Sequence, residues 1–179
     1  MSDYKLIGSK SVYNGNVMDF WECDVELPDG KVAKWDLVHH SGGAAALPVD
    51  DDGNIILVRQ YRLGVDRELL EIPAGKAEPG EDPLETVKRE MEEEIGYVAG
   101  HIEKMMDFCP APAYSQENTA VYLATELKKT RVNPDEDEFV TIERYSPDAL
   151  KDMIRNGEIV DGKTISAVTA YLAIFFSRN

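Results

Sequence analysis

The stretch Gly75–Tyr97, GKAEPGEDPLETVKREMEEEIGY, limits the fold more than any other part of this 179-residue chain. Its second half reads as one helix with marked ends. Asp82 suits the N-cap, Pro83 the first turn, and Glu85 stands three residues after Asp82 as in a capping box. Gly96 suits the C-terminal stop. Leu84, Val87, Met91 and Ile95 recur at helical spacing and form one apolar stripe. Glu90, Glu93 and Glu94 share a face beside that stripe, at the rim of the core. Like charges so crowded cost a few tenths of a kcal/mol per pair, and a cation on that face removes the conflict. The expectation is a divalent-metal platform, with hard oxygen ligands that suit Mg²⁺ or Mn²⁺. Glu92 falls on the far side and reads as solvated.

The flanking sequence sets two regions. Residues 4–40 alternate apolar and polar, broken at Asn14-Gly15-Asn16 and Pro28-Asp29-Gly30, which predicts three antiparallel strands near 6–13, 17–27 and 32–39. Three strands make a thin core, so this sheet needs the rest of the chain or a second subunit to cover it. Gly42-Gly43 marks a boundary, giving an N-terminal sheet over 1–40 and a main domain over 41–179. In the latter, strands are expected at 44–49, 54–61, 68–72, 102–108, 119–127 and 139–145. Helices are expected from Ser146 to Asn156-Gly157 and from Lys163 to Ser177. Apolar residues on both faces of 54–61 predict a covered central strand. The fold class expected is α+β.

Composition narrows the partners. The net charge of -15 argues against nucleic acid and anionic membranes, which call for basic surface. An anionic substrate would need local arginines or a metal to screen it. The N-terminus has no apolar signal-like core and the run 170–176 is too short to span a bilayer, so a cytoplasmic protein is expected. Cys23 and Cys109 read as free, buried thiols, and His39, His40 and His101 lack ligand spacing.

The spacing of the central stretch is specific. Gly75, five residues, Glu81, seven residues, then Arg89-Glu90-Met91-Glu92-Glu93-Glu94-Ile95-Gly96-Tyr97 fills G-x5-E-x7-R-E-U-x-E-E-x-G-U, where U is bulky and apolar; Tyr97 is a mild departure at the last place. In this the chain resembles the Nudix hydrolases. The resemblance implies an α/β/α sandwich around a mixed sheet, with the N-terminal antiparallel sheet as an added element. It implies Glu90, Glu93 and Glu94 as metal ligands with the carbonyl of Ala74, Mg²⁺ as the cofactor, Arg89 holding a carboxylate, and Glu81 bracing the loop or binding metal through water.

Flanking residues resemble the ADP-ribose pyrophosphatase branch: Ser41 to Ala45, Arg59-Gln60-Tyr61-Arg62, Glu68 to Gly75, Pro112 sixteen residues after Gly96, and Ile154 to Thr164. The activity implied is Mg²⁺-dependent hydrolysis of the pyrophosphate of ADP-ribose to AMP and ribose 5-phosphate. A nucleotide-sugar pyrophosphatase acting on GDP-mannose, or a non-catalytic nucleotide sensor, are the alternatives. Arg59, Arg62 and Arg67 read as phosphate contacts or as surface charges at a strand end. Trp35 reads as core or as a base-stacking aromatic. Pro112 reads as a branch marker or a loop proline. The acidic run 135–138 matches the region that supplies a general base in relatives, with Glu138 favoured over Glu136, and a solvated turn as the alternative. The N-terminal sheet resembles the exchanged element of dimeric members, which implies a homodimer.

Overall fold

The computed structural model describes residues 3–131 and 139–175. It divides into two units: residues 1–42 with 109–118, and residues 43–108 with 119–179. The first unit is an antiparallel sheet of β1 (Lys5–Asn14), β2 (Asp19–Glu26) and β3 (Val32–His39) in that order. The segment 109–118 joins it through backbone hydrogen bonds from Val38 N to Tyr114 O (2.7 Å) and from Gln116 N to Val38 O (3.0 Å). Cys23 and Val25 are its buried apolar residues, while Leu6, Ile7, Val12, Tyr13, Val17 and Val32 are exposed.

The second unit has two sheets. One orders β10 (Thr141–Tyr145), β5 (Ile55–Arg62) and β6 (Arg67–Glu71), all antiparallel. The other orders β7 (Ala74–Lys76), β4 (Gly43–Pro48), β9 (Thr119–Lys129) and β8 (Tyr97–Phe108); β4 and β9 run parallel and the other pairs antiparallel. Strand alternation distributes apolar residues to both faces. Ala44 and Ala46, Ile56 and Val58, and Ala120 and Tyr122 pack with Val87, Met91 and Ile95 of the helix α1 (Pro83–Glu90) and its continuation. Ala45, Leu47, Ile55, Leu57, Val121 and Leu123 pack on the other face with Leu150 of α2 (Pro147–Arg155) and Ala167 and Val168 of α3 (Gly162–Ala170). The unit is thus a helix–sheet–helix sandwich, and the fold is α+β with a mixed sheet.

Most boundaries shift by one or two residues from the expectation, and three differences bear on the second unit. β8 starts at Tyr97 rather than Ile102, because Gly100 gives room to Glu126: a Cβ on Gly100 would stand 2.6 Å from the Glu126 carboxylate. β7 replaces an expected loop; Ala74–Lys76 pairs with Gly43–Ala45. β10 starts at Thr141, and Phe139 before it is 87% exposed. The helical segments end in π turns, at Met91–Ile95 and Tyr171–Phe175.

Candidate active site

The acidic helix meets the short strand β7 at very close range. Gly75 lies directly against Glu90: a Cβ there would fall 1.8 Å from Glu90 Oε1. Gly43, across the β4–β7 ladder, has no room either, since its Cβ would stand 2.5 Å from Gly75 O. Two glycines therefore let backbone and carboxylate share one space. Asp82 caps α1 by accepting from Leu84 N at 2.8 Å. Glu85 does not complete a capping box; it turns outward to Lys88 Nζ at 2.7 Å. Helix closure comes from Glu81 instead, which accepts from Glu78 N and Thr86 Oγ1, both at 2.9 Å. After Glu90 the ladder widens into the π turn, a geometry frequent at functional sites. It ends at Gly96 with φ of 67°.

Glu90 and Glu94 are far more buried than the rim position expected, at 7% and 1% exposure. Glu94 Oε2 accepts from Ala74 N at 2.9 Å, which ties the helix to the strand entering β7. Arg89 is the hub of the remaining acids. Its Nη1 donates to Glu90 (2.6 Å) and Glu93 (2.9 Å), its Nε and Nη2 to Glu81 (3.3 and 3.2 Å), and Nη2 also to Lys76 O (3.2 Å). The Arg89 guanidinium, then the Glu78 N–H, hold the Glu81 carboxyl down to about 2. Arg89 is raised in turn, chiefly by Glu81. Glu92 is exposed on the other flank, where a cavity of about 450 Å³ opens between Lys88, Glu92 and Tyr97.

A hard divalent cation suits this donor set. Among the described residues, no three His, Cys, Asp or Glu side chains converge into a ready-made cage. A hard divalent cation placed there would take one or two of these carboxylates and complete its shell with water and substrate phosphate. Buried carboxylates beside a cradle that any Cβ would fill suit such an ion.

The strand-end arginines are not brought together. Successive side chains on β5 alternate, so Arg59 and Arg62 leave opposite faces. Arg59 is paired with Glu143 (Nε to Oε1, 2.5 Å), and Glu143 also accepts from Tyr145, on the α2–α3 side. Arg62 is on the α1 side. Its Nε and Nη2 donate to the two oxygens of Glu71, both at 2.8 Å, and it feels the charge of Glu94. Arg67 is exposed and sits directly opposite Arg62 in the β5–β6 register.

Glu71 is a site residue that the sequence reading lacks. It is 1% exposed and also pairs with Lys163, which lies 3.1 Å from Asp161. Burial pushes the Glu71 carboxyl up, but Arg62 and Lys163 outweigh it and hold it below the usual range. A signal for it exists: a glutamate between buried Leu70 and Ile72 points to a covered face and must find a cation there.

Trp35 and Pro112 belong to the first unit. Trp35 is no core residue; it is 48% exposed and lies against Tyr4 with ring centroids 5.8 Å apart. Pro112 is exposed. His39 stacks on Trp21, and His40 Nδ1 accepts from Gly42 N at 3.0 Å. Cys23 is buried, but Cys109 is exposed, contrary to the expectation of two buried thiols; it stands in the 109–118 segment outside any strand. Glu136 and Glu138 lie outside the described residues. No helix among the described residues is long and apolar enough to cross a membrane.

Residues 39–167 match the model of the NUDIX domain. An ADP-ribose pyrophosphatase of Bacillus subtilis (strain 168) is 42% identical over 167 residues, covering 92% of this chain and 90% of that protein. A methanol dehydrogenase activator of Bacillus methanolicus is 37% identical over 166 residues, covering 92% and 90%. The fold is similar to the crystal structure of an ADP compounds hydrolase, with a TM-score of 0.84 at 20% identity over 98% of this chain and 96% of that one.

Proposed function

We propose that this chain, which belongs to the Nudix family, hydrolyses the pyrophosphate of ADP-ribose to AMP and ribose 5-phosphate with Mg²⁺ as cofactor. The observation that carries the reading is the arrangement around Gly75: buried Glu90 and Glu94, Glu93 beside them, and Arg89 tying three carboxylates together. The 42% identity to an ADP-ribose pyrophosphatase supports the choice of substrate.

The metal would be held by Glu90 and Glu94 with the carbonyl of Ala74, and Glu93 would join them by turning from Arg89. When bound, it neutralises phosphate charge and lowers the pKa of a water molecule. The chain's own residues position and balance charge around it. Arg89 keeps Glu90 and Glu93 from repelling each other into solvent. Glu81, ionised at any ordinary pH, keeps Arg89 in place. Arg62 offers cationic charge next to Glu94 for a phosphate oxygen. Glu138, or Glu136 in its place, takes the proton of the attacking water. The water oxygen bonds to phosphorus, the bridging P–O bond breaks, and the released phosphate leaves with its sugar.

Trp35, in this reading, stacks on adenine, and Pro112 shapes the same region. Arg59 and Arg67 have less support than Arg62, because Arg59 faces the opposite side of β5 and Arg67 is exposed. The exposed apolar side chains of the first unit support a homodimer built through that sheet. A cytoplasmic location completes the reading.

The test is a panel of ADP-ribose, GDP-mannose, NADH, diadenosine polyphosphates and 8-oxo-dGTP, with Mg²⁺ and with chelator. Preferred cleavage of ADP-ribose that stops on chelation is the expected result. Preferred cleavage of GDP-mannose replaces the substrate assignment, and tight nucleotide binding without cleavage makes the chain a sensor.

A further inference from the structure

A lysine in the first turn of a helix opposes the helix dipole, and burying it adds a desolvation cost. Lys163 does both: it is the second residue of α3, and its side chain is only 14% exposed. The Asp161 N-cap, 3.1 Å from its ammonium, accounts for part of this. The rest is Glu71, which Lys163 shares with the fork of Arg62. The same turn of α3 is bound a second time to that strand. Thr164 Oγ1, fully buried, donates to Asp161 Oδ2 (2.6 Å) and accepts from Ile72 N (2.9 Å). Two residues on, Ala74 N reaches Glu94. The start of α3 therefore grips Glu71-Ile72 by one side chain and one backbone bond, where the strand enters the acidic site.

The fork has a direction. Arg62 gives Nε and one edge of Nη2 to the two oxygens of Glu71, so its Nη1 edge points away from that carboxylate. That outer edge is left on the α1 face, with exposed Arg67 opposite in register. Like charges directly across a ladder are unfavourable unless an anion lies between them.

We propose that Lys163 is a positioning residue for phosphate recognition: through Glu71 it fixes the Arg62 guanidinium with its outer edge presented to a phosphate oxygen of the substrate. This rests on the ADP-ribose reading above for the identity of that phosphate. Lys163 touches no substrate; it acts by leaving Glu71 no other orientation.

The experiment combines kinetics with side-chain NMR of the Arg62 Nε–H group in the full chain, for wild type, K163M, R62A and the R62A/K163M double variant. The wild-type signal is expected to be sharp and slowly exchanging, to shift when inorganic pyrophosphate and Mg²⁺ are added, and to broaden in K163M. In ADP-ribose hydrolysis, K163M is expected to raise KM about tenfold with kcat within about twofold, and to add nothing in the R62A background. An unchanged Arg62 signal in K163M, or the same KM factor in both backgrounds, overturns the proposal. Where K163M does not fold, K163Q takes its place and is read in the same way: a broadened Arg62 signal supports the proposal and an unchanged one overturns it. A wild type that does not cleave ADP-ribose overturns the function proposed above. The pyrophosphate shift then decides alone: lost in K163M, the positioning role holds; retained, it falls.

Discussion

Gly75→Ala should separate chemistry from folding. The new methyl carbon would start 1.8 Å from Glu90 Oε1, 2.0 Å from Cδ and 2.4 Å from Oε2. Ordinary contact begins near 3.4 Å, so the oxygen must retreat by about 1.6 Å (3.4 minus 1.8). Glu90 ends in a flexible side chain, so it can move at a stability cost of about 1 kcal/mol, near the low end for overpacking. In a chain of this length that is a fall in Tm of about 2–4 °C. Activity should suffer far more, since a displacement of about 1 Å in a catalytic group costs on the order of a hundredfold. Two further glycines calibrate the result. At Gly43 the methyl would meet backbone, Gly75 O at 2.5 Å, so Gly43→Ala must part the β4–β7 ladder and cost about 2–3 kcal/mol. At Gly64 no atom lies within 4 Å, and Gly64→Ala should change neither property. Thermal melts and initial rates of ADP-ribose cleavage on the three variants read both quantities. A Gly75→Ala enzyme with near-normal turnover would show that Glu90 need not occupy the space above Gly75.

Glu94→Gln keeps the acceptor for Ala74 N but removes the charge, and should lower turnover by roughly two to three orders of magnitude with a cooperative melt retained; near-normal activity would dismiss the metal site as drawn. Glu81 titrates at about 2 in the folded chain, below its ordinary 4.5. Its support for Arg89 is therefore complete above pH 4.5 and lost as pH falls toward 2. The stability gap between wild type and Glu81→Gln should stay constant above about pH 5 and close on acidification, which pH-dependent melts can follow. Size-exclusion with light scattering at micromolar concentration should give twice the chain mass, and a monomer would refute the dimer.

The acidic helix is legible in the sequence because its constraints are local. Asp82, Gly96 and the Leu84–Ile95 stripe act within a few turns, and all three hold. The same local rules fail where tertiary contact overrides them. Glu85 forms an i,i+3 pair with Lys88 because Glu81, brought back by the loop 77–81, already closes the helix start. β7 cannot be read from Ala74-Gly75-Lys76, which has little strand character of its own and is extended only because Gly43–Ala45 offers a ladder. Arg59 and Arg62 look alike in sequence, and only their acidic partners, 84 and 9 residues away, show that they serve opposite faces. The Glu71–Lys163 pair spans 92 residues and leaves one trace, a lone acid among buried neighbours.

The π turn at Met91–Ile95 also fixes how this part of the gene can vary in length. A π turn holds one residue more than the α-helix around it. Removing one residue from 91–95 would close the wide turn to regular helical pitch and leave the chain one residue short where it must enter the next strand. β8 begins immediately afterwards, at Tyr97, paired with Lys129. A shift of one residue there would turn its side chains to the opposite face. The segment is therefore locked against insertion and deletion from both directions, while single substitutions at exposed Glu92 should pass unnoticed.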